Sequence, residues 1–290
     1  MSSSTLHLGH RSFEPEDRLV MAIVNRTPDS FYDAGRTFTD DQAMSAVDTA
    51  VASGAEIVDI GGVKAGPGHE VDLAEELTRT VDFVAAVRER HESVIISVDT
   101  WRHEVAEAVC RAGADLLNDA WGGFDPELAH VAAEFEVGLV CTHTGGATPR
   151  TRPHRVQYED VVASVVDFLG QEATRAEAAG VDPRRILVDP GHDFGKNTRH
   201  SLAVTRGLDQ LASLGRPLLV SLSNKDFVGE TLDAPVGERL VGTLAATAIS
   251  SWLGARVFRV HEVPETREVL AMVRALAGTA QPAVARRGLA

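Results

Sequence analysis

The amino-acid sequence predicts an α/β fold, a single (β/α)8 TIM barrel, and three observations support this prediction. Eight short runs rich in Val, Ile and Leu alternate with longer amphipathic stretches. Gly, Pro or Asp bounds most of these runs, and no linker-like segment divides the 290 residues. Parallel strands joined by helical crossovers along one continuous chain fit a barrel better than an open doubly wound sheet or two separate sheets.

The eight apolar runs are predicted to be strands buried on both faces, because their apolarity is nearly continuous. In chain order they lie at 19–25, 55–62, 94–100, 115–123, 137–143, 185–191, 217–225 and 255–263. The stretches between them carry apolar residues at spacings of three and four, often with Gly at the end, which predicts helices. Examples of these helices lie at 41–54, 74–91, 161–180 and 239–254.

The predicted barrel domain occupies residues 19–278, and both ends of the chain are expected to be irregular. Residues 1–18 form the expected N-terminal arm, and residues 279–290 form the expected C-terminal tail. The first residues lack the basic-then-apolar order of a signal peptide. No apolar run reaches the ~18 residues of a membrane-spanning helix, so neither secretion nor a membrane partner is expected.

Charge and cysteine content narrow the possible partners further. The formal net charge of −14 argues against binding to nucleic acid or an anionic membrane, which requires a basic surface. Cys110 and Cys141 are too few for a disulfide framework or a cysteine-rich metal site. Two free thiols in a reducing compartment are expected, which makes a cytoplasmic location the prediction.

In a barrel, chemistry is expected at the carboxyl ends of the strands, because these ends open toward one shared mouth. In chain order, the polar residues at the strand ends are Asn25, Asp59, Asp99, Asn118 with Asp119, His143, Asp189, Ser223 with Lys225, and Arg259 with His261. A single Asp, Asn or Ser often only caps the next helix, but caps do not require Lys225, Arg259 or His261. These cations indicate that an anion binds at the mouth. Asp59, two residues before a double glycine, is expected to orient the loop that follows.

The same residues lie in segments that resemble those of a known family. In order, the segments are IVNRTPDSF, DIGG followed by PG, SVDT, LND, DPGHDFGK, SNK and RVHEV. Together they resemble dihydropteroate synthase, a pterin-binding (β/α)8 enzyme of folate biosynthesis. The resemblance extends from about residue 19 to residue 275.

The resemblance implies a binding site for the pterin ring. Asp99, Asn118 and Asp189 match the family residues that hold the ring, and Lys225 matches a lysine beside them. This division suits the ligand, since a 2-amino-4-oxo ring offers N–H donors to carboxylates, while an amide both donates and accepts.

The resemblance also implies a pyrophosphate site and a cofactor. Arg259 and His261 match the pair that binds the pyrophosphate leaving group, and with Lys225 they are the implied catalytic residues. Asn25 matches the residue that helps to hold Mg²⁺, an ion that commonly combines few protein ligands with phosphate oxygens. In the implied reaction pyrophosphate leaves the pterin methylene and an aromatic amine attacks the resulting cation, so stabilising the leaving group and aiming the amine determine the rate.

The sequence departs from the family on the side of the second substrate. The family reads GGESTRPG at this point. Its Glu, Ser, Thr and Arg are replaced here by Val63, Lys64, Ala65 and Gly66. Pro67 remains, and the family's SRK is SNK here, with Asn224 beside Ser223. The predicted second-substrate region is therefore Lys64, Pro67, Ser223 and Asn224. Arg26 replaces a small apolar residue, and with Lys64 it is expected to restore positive charge at the mouth.

Three functions follow from these residues. The first is a dihydropteroate synthase-type transferase that joins 6-hydroxymethyl-dihydropterin pyrophosphate to p-aminobenzoate. The second is a divergent paralogue that binds pterin without normal coupling, either inactive or with another acceptor. The third is a pterin-binding methyltransferase, against which the Lys225 segment and RVHEV argue, since a pyrophosphate site has no use there.

The family resemblance also implies a homodimer. Residues 236–254, rich in Ala, Leu and Thr, are the predicted interface. A helix buried in the core has the same composition, so residues 236–254 are also consistent with a core helix.

Overall fold

The computed structural model describes residues 4–26, 39–63, 70–151 and 156–287. Its central feature is a sheet of eight parallel strands that match the eight predicted runs. Two short strands precede this sheet. In chain order the strands are β1 (Leu6–Leu8), β2 (Arg11–Phe13), β3 (Leu19–Asn25), β4 (Ile57–Gly61), β5 (Ile95–Asp99), β6 (Leu116–Asp119), β7 (Gly138–Thr142), β8 (Ile186–Asp189), β9 (Leu219–Val220) and β10 (Val257–Val260).

The eight-stranded sheet closes on itself. Hydrogen-bonded neighbours follow the order β8-β7-β6-β5-β4-β3-β10-β9. The two outer strands meet through a parallel bridge between Val188 and Leu218, where the Val188 N–H donates to the Pro217 carbonyl at 3.0 Å. The predicted (β/α)8 barrel is therefore confirmed.

Helices follow each barrel strand and pack outside the sheet, where two large apolar clusters lie between strands and helices. A 3-10 helix, Pro183–Arg185, leads into β8. In chain order the α-helices are α1 (Asp40–Ala52), α2 (Leu73–Arg90), α3 (His103–Arg111), α4 (Glu127–Glu134), α5 (Val161–Ala178), α6 (Thr198–Arg206), α7 (Leu208–Ala212), α8 (Asp226–Leu232), α9 (Leu240–Trp252) and α10 (Val263–Leu276). Within the part of the chain that the structure describes, no helix is both long and apolar enough to cross a membrane.

The N-terminal arm contains a β-hairpin, although the sequence predicted no regular secondary structure there. β1 and β2 pair antiparallel, with Leu6 opposite Phe13. Leu6, Leu8 and Phe13 are buried in one cluster with residues from the starts of the barrel strands, including Leu19 and Ile57. Alternation places Leu6 and Leu8 on one face of β1, so the hairpin can cover the amino end of the barrel with apolar side chains.

Candidate functional site

The carboxyl ends of the barrel strands bring the predicted polar residues to one mouth. Strand register sets the nearest neighbours, because Gly61 pairs with Asp99 and Asp99 pairs with Asn118. Farther around the barrel, Thr142 of β7 pairs with Asp189 of β8. Asp99 and Asn118 are therefore adjacent, as their predicted shared site requires.

Arg259 joins two carboxylates at this mouth. Its Nε donates to Asp59 Oδ2 at 2.6 Å, and its Nη2 donates to Asp99 Oδ2 at 3.3 Å. The Asp59 side chain is fully buried, whereas the Arg259 side chain is 18% exposed. A buried carboxylate requires a partner charge or several donors. Arg259 therefore balances the charge of Asp59 while part of its guanidinium still faces solvent.

Asp59 is the centre of a hydrogen-bond network. The Ser97 hydroxyl donates to Asp59 Oδ1 at 2.6 Å, and Asn118 Nδ2 lies 3.2 and 3.3 Å from the two carboxylate oxygens. These contacts connect β4 with β5, β6 and β10. The Asp59 side chain thus holds Arg259 and Asn118 in place, and most of the loop that it was expected to orient lies outside the described residues.

Asp99 changes protonation near neutral pH. Burial raises its pKa to about 7; Arg259 opposes this shift and Asp59 adds to it. Above this pKa the side chain is a carboxylate that only accepts hydrogen bonds, whereas below it the protonated group also donates one. Ligand binding at Asp99 is therefore expected to depend on pH.

Asp189 and Lys225 are a second pair of opposite charges. Asp189 Oδ1 accepts the Gly191 N–H at 2.7 Å, and Lys225 Nζ lies 4.8 Å from the centroid of the Phe194 ring. Burial raises the pKa of Asp189 and lowers the pKa of Lys225. Each group opposes the shift of the other, because each favours the partner's charged form.

The second-substrate residues Ser223 and Asn224 contact the end of β10. Ser223 Oγ lies 2.9 Å from His261 Nδ1 and donates to Glu262 Oε2 at 2.9 Å. Asn224 Nδ2 donates to Glu262 Oε1 at 3.1 Å. Glu262, which the sequence analysis did not select, thus connects Asn224 with the strand that carries Arg259 and His261. Its position next to His261 in RVHEV was the available signal.

Lys196 is a buried lysine that was not predicted as a site residue. Its Nζ donates to the carbonyls of His143, Gly191 and Phe194 at 3.2, 3.0 and 3.1 Å, and it lies 2.7 Å from His143 Nδ1. Burial lowers the pKa of Lys196 to about 7. The predicted strand-end residue His143 is therefore bound to the loop after β8, and its position in DPGHDFGK was the only sequence signal for Lys196.

Aromatic side chains from three loops pack together at the mouth. The ring centroids of Trp101 and Trp121 are 6.1 Å apart, and those of Trp121 and Phe194 are 5.5 Å apart. Val63, from the loop after β4, is buried in the same cluster. We call these four residues the aromatic cluster. Because Phe194 also lies under Lys225, the cluster borders the Asp189 and Lys225 pair.

The remaining predicted residues have different outcomes. Lys64 and Pro67 lie outside the described residues. Asn25 ends β3, in register with Gly61. The expectation that Arg26 restores positive charge at the mouth is wrong, because Arg26 is buried and forms an ion pair with Asp40.

Comparison with known proteins defines the class of protein that carries this site. The sequence matches the pterin binding enzyme family over residues 21–261. The protein named Inactive dihydropteroate synthase 2 from Mycobacterium leprae (strain TN) is 56% identical over 97% of this chain and 98% of its own length. Dihydropteroate synthase from Streptococcus pyogenes is 36% identical over 89% of this chain and 95% of its own length. The crystal structure of Yersinia pestis dihydropteroate synthase in a sulfonamide drug complex has a TM-score of 0.89 at 33% identity, covering 95% of this chain and 100% of that one.

The fold and these similarities define a pterin-binding enzyme class built on a (β/α)8 barrel. The chain belongs to the dihydropteroate synthase family, whose members are transferases of folate biosynthesis. This confirms the family predicted from the seven motifs. The word inactive in the name of the 56% identical relative agrees with the predicted divergent paralogue.

Proposed function

We propose that this protein is a divergent dihydropteroate synthase that binds a pterin pyrophosphate at the barrel mouth but couples p-aminobenzoate poorly. One contrast supports the proposal. The predicted pterin residues lie on barrel strands or in the loop directly after one. The predicted p-aminobenzoate region, in contrast, lacks the polar and charged residues that the family has there. The proposed pterin half of the site therefore keeps its binding residues, whereas the proposed p-aminobenzoate half has lost its own.

The ring is proposed to bind at four residues: Asp99, Asn118, Asp189 and Lys225. Asp99 and Asn118 are neighbours in strand register, and a buried Asp189 and a half-buried Lys225 carry charges of opposite sign. Buried carboxylates suit a ring that presents several N–H donors, because each donor then meets an acceptor. Lys225 supplies the one cationic donor for a ring oxygen or nitrogen.

The pyrophosphate is proposed to bind at Arg259 and His261. The Arg259 guanidinium is partly exposed, and two of its donors already contact Asp59 and Asp99. A guanidinium has five N–H donors, so Arg259 can bind a phosphate oxygen without releasing Asp59. Together with Lys225, these residues would stabilise the charge that develops on the leaving group.

Mg²⁺ is the proposed cofactor, with Asn25 as a protein ligand. An amide oxygen is a hard donor that suits this ion, which usually retains water and takes substrate phosphates as further ligands. Among the described residues, the His, Cys, Asp and Glu side chains close enough together to hold a metal are His103, Glu104 and Asp125, a group that does not include Asn25. An ion at Asn25 would take its further ligands from the pyrophosphate and water, and Mg²⁺ would neutralise charge on that leaving group.

The amine side is proposed to be impaired. Val63 stands where the family has a glutamate and is buried in the aromatic cluster, and the Asn224 amide is bound to Glu262. Losing a guanidinium and a loop hydroxyl removes two contacts worth roughly 1.5 to 3 kcal/mol each if they bind charged groups, or ~10²- to 10⁴-fold in rate. Lys64 is a point charge and does not replace a planar guanidinium.

Calorimetry tests the two halves separately. A pterin pyrophosphate analogue with Mg²⁺ is titrated first, and p-aminobenzoate is then added to the complex. We expect micromolar or tighter pterin binding, and weak or undetectable binding of the amine. If the pterin analogue does not bind at high concentration, the proposed function is wrong.

Restoring the family loop tests the cause of weak coupling. The restored variant carries Val63→Glu, Lys64→Ser, Ala65→Thr, Gly66→Arg and Asn224→Arg. Product formation from p-aminobenzoate should rise at least tenfold, about 1.4 kcal/mol of transition-state stabilisation. Gly66→Arg alone is the matched control and should give only part of the gain, because the effects of neighbouring residues are not additive. Wild-type turnover of about one per second or more, typical of enzymes, would contradict the proposal.

A homodimer through α9 is also proposed. The face of α9 turned to solvent is apolar, whereas Thr243 and Thr247 lie on its buried face. The exposed stripe is Val241, Ala245, Ile249 and Trp252. An apolar stripe on the outside of a helix favours burial against a second copy.

The stripe gives a direct test of oligomeric state. Ile249→Asp should convert the dimer to a monomer in sedimentation velocity, because it places a charge in the proposed interface. Val284→Asp is the matched control, since Val284 is also exposed and apolar but lies in the tail. A wild-type protein that sediments as a monomer would remove this proposal and leave the pterin site untouched.

A further inference from the structure

Asp193 has an unusual backbone for a residue of the mouth. It lies in the loop after β8 with φ +66°, in the left-handed region that favours glycine. Asp and Asn are the residues that tolerate this region best after glycine, although at some cost in free energy. A strained residue persists only where surrounding contacts hold it, and at a ligand site it indicates a role that merits a test.

The Asp193 carboxylate is bound on both oxygens. Oδ2 accepts the backbone N–H of Asp226 at 2.6 Å, and Oδ1 accepts the Ser201 hydroxyl at 3.2 Å. Asp226 is the first residue of α8, and the preceding Lys225 makes no side-chain cap bond. Asp193 therefore caps α8 from a different loop and ties the start of that helix to the loop after β8.

The residue after Asp193 completes the arrangement. Phe194 presents its ring to the Lys225 amine, with 4.8 Å between Nζ and the ring centroid. One residue of this loop thus holds the backbone next to Lys225, and the following residue presents its ring face to the Lys225 amine. The loop that begins at Asp189 and the loop that carries Lys225 are joined at this point.

The charges around Lys225 come from several elements. Burial lowers the pKa of Lys225, and Asp193 opposes that shift more strongly than Asp189 or Asp226 does. Arg259 adds to the lowering. Across the loop after β8, Lys196 and His192 also interact electrostatically with Lys225. Asp193 therefore favours the charged form of Lys225, as Asp189 and Asp226 also do.

We propose that Asp193 is a positioning residue of the pterin site, which holds the start of α8 so that Lys225 lies over Phe194, and whose negative charge acts on that lysine. The proposal rests on the proposed function for its ligand, a pterin, but the pairing of Asp193 with Lys225 is a property of the protein alone. Asp193 itself does not need to touch the ligand, because both of its carboxylate oxygens are already bound within the protein.

The sequence makes this pairing measurable, because it contains three lysines, Lys64, Lys196 and Lys225. Protein labelled with ¹³C at lysine Cε gives one NMR signal for each, assigned with single Lys→Arg variants. Asp193→Asn keeps an acceptor oxygen for α8 and tolerates the left-handed backbone, but removes the charge. We expect it to lower the titration midpoint of Lys225 by about one pH unit. The alkaline limit of pterin binding should move down by the same interval, while the thermal midpoint stays nearly constant.

Two further variants make the result decisive. Asp226→Asn is the matched control, since it removes a charge next to Lys225 from a side chain that is 65% exposed, and it should shift the midpoint much less. Asp193→Gly removes the charge and relieves the backbone, so a shift equal to that of Asp193→Asn confirms that the charge is responsible.

Three results bear on the proposal. An unchanged Lys225 midpoint in both Asp193 variants would reduce Asp193 to a helix cap and overturn the inference. A shifted midpoint with unchanged pterin affinity at every pH would overturn its positioning role. If wild-type protein binds no pterin, the proposed function fails, while the Lys225 midpoint still decides whether Asp193 is its counter-charge.

Discussion

Replacing Arg259 by methionine is expected to destabilise the protein by about 3 kcal/mol at pH 7, and by less at pH 5. Methionine retains much of the side-chain volume but removes the donors to Asp59 at 2.6 Å and Asp99 at 3.3 Å. Asp59 is fully buried, so the change leaves a carboxylate without its counter-ion. The variant thus separates the structural role of Arg259 from its proposed role in pyrophosphate binding.

The magnitude follows from the remaining contacts of Asp59. Breaking a buried ion pair by removing one partner costs about 3 to 5 kcal/mol. Donors on Ser97 and Asn118 remain within 2.6 to 3.3 Å of Asp59, which places the expected cost at the lower end. Proton uptake at Asp99 lowers the cost in acid, since burial raises the pKa of Asp99 to about 7 and the variant lacks the Arg259 charge that opposes this shift.

The sign of the pH dependence follows from proton linkage. In the variant the folded state binds protons more readily than the unfolded state, so acidification favours folding. Urea unfolding at pH 7 and pH 5 measures both the deficit and its change. The double variant Asp59→Asn with Arg259→Met should recover at least about 2 kcal/mol relative to Arg259→Met alone, because no unpaired charge is left.

Two results would refute this reasoning. One is an Arg259→Met protein within about 1 kcal/mol of the wild type at pH 7, which would mean that water or another group solvates Asp59 without loss. The other is a deficit that is the same at pH 5 and pH 7, since an unpaired buried carboxylate must respond to acid.

Three further predictions concern ligands. Asp189→Asn should abolish pterin binding in calorimetry, because the amide turns a donor toward ring N–H groups, and retained affinity would remove Asp189 from the site. Pterin affinity of the wild type should rise as the pH is raised from 6 to 8, because the pKa of Asp99 is raised to about 7 by burial and the carboxylate is the acceptor form. Asp99→Asn should make affinity independent of pH in this range, and an unchanged profile would place the titrating group elsewhere. Arg259→Lys should weaken a pyrophosphate-bearing pterin more than the bare pterin, with a difference that shrinks in salt; equal losses would make Arg259 purely structural.

The barrel was predictable from the sequence because its strands are largely buried on both faces and are therefore mostly apolar. Even β9, with only Leu219–Val220 assigned, lies in an apolar run that the pattern identified. The hairpin of β1 and β2 was missed for the opposite reason, since three-residue strands with one buried face carry too short an alternation. Its stability depends on Leu6 and Leu8 meeting the strand starts, which is a contact distant in sequence.

The candidate site was predictable as a set of strand ends but not as a network. The ends of parallel strands must gather at one mouth, so polar residues there could be selected before any contact was known. The Asp59 and Arg259 pair could not, because β4 and β10 are not adjacent and their side chains meet across β3. Lys196 and the aromatic cluster lie on loops, whose paths are not set by strand periodicity.

The buried charge of Asp59 gives Arg259 a structural role that does not depend on any ligand. Arg259 would be required at the mouth even without a pyrophosphate ligand, because Asp59 is buried and needs its charge. The presence of Asp59 and Arg259 in the sequence therefore supports the fold as much as it supports catalysis. Lys225 and Asp189 carry more weight for pterin binding, since neither residue is the counter-ion of Asp59. A pterin titration of variants at Asp189 and Lys225 consequently tests function, whereas loss of activity in an Arg259 variant is interpretable only beside its unfolding curve.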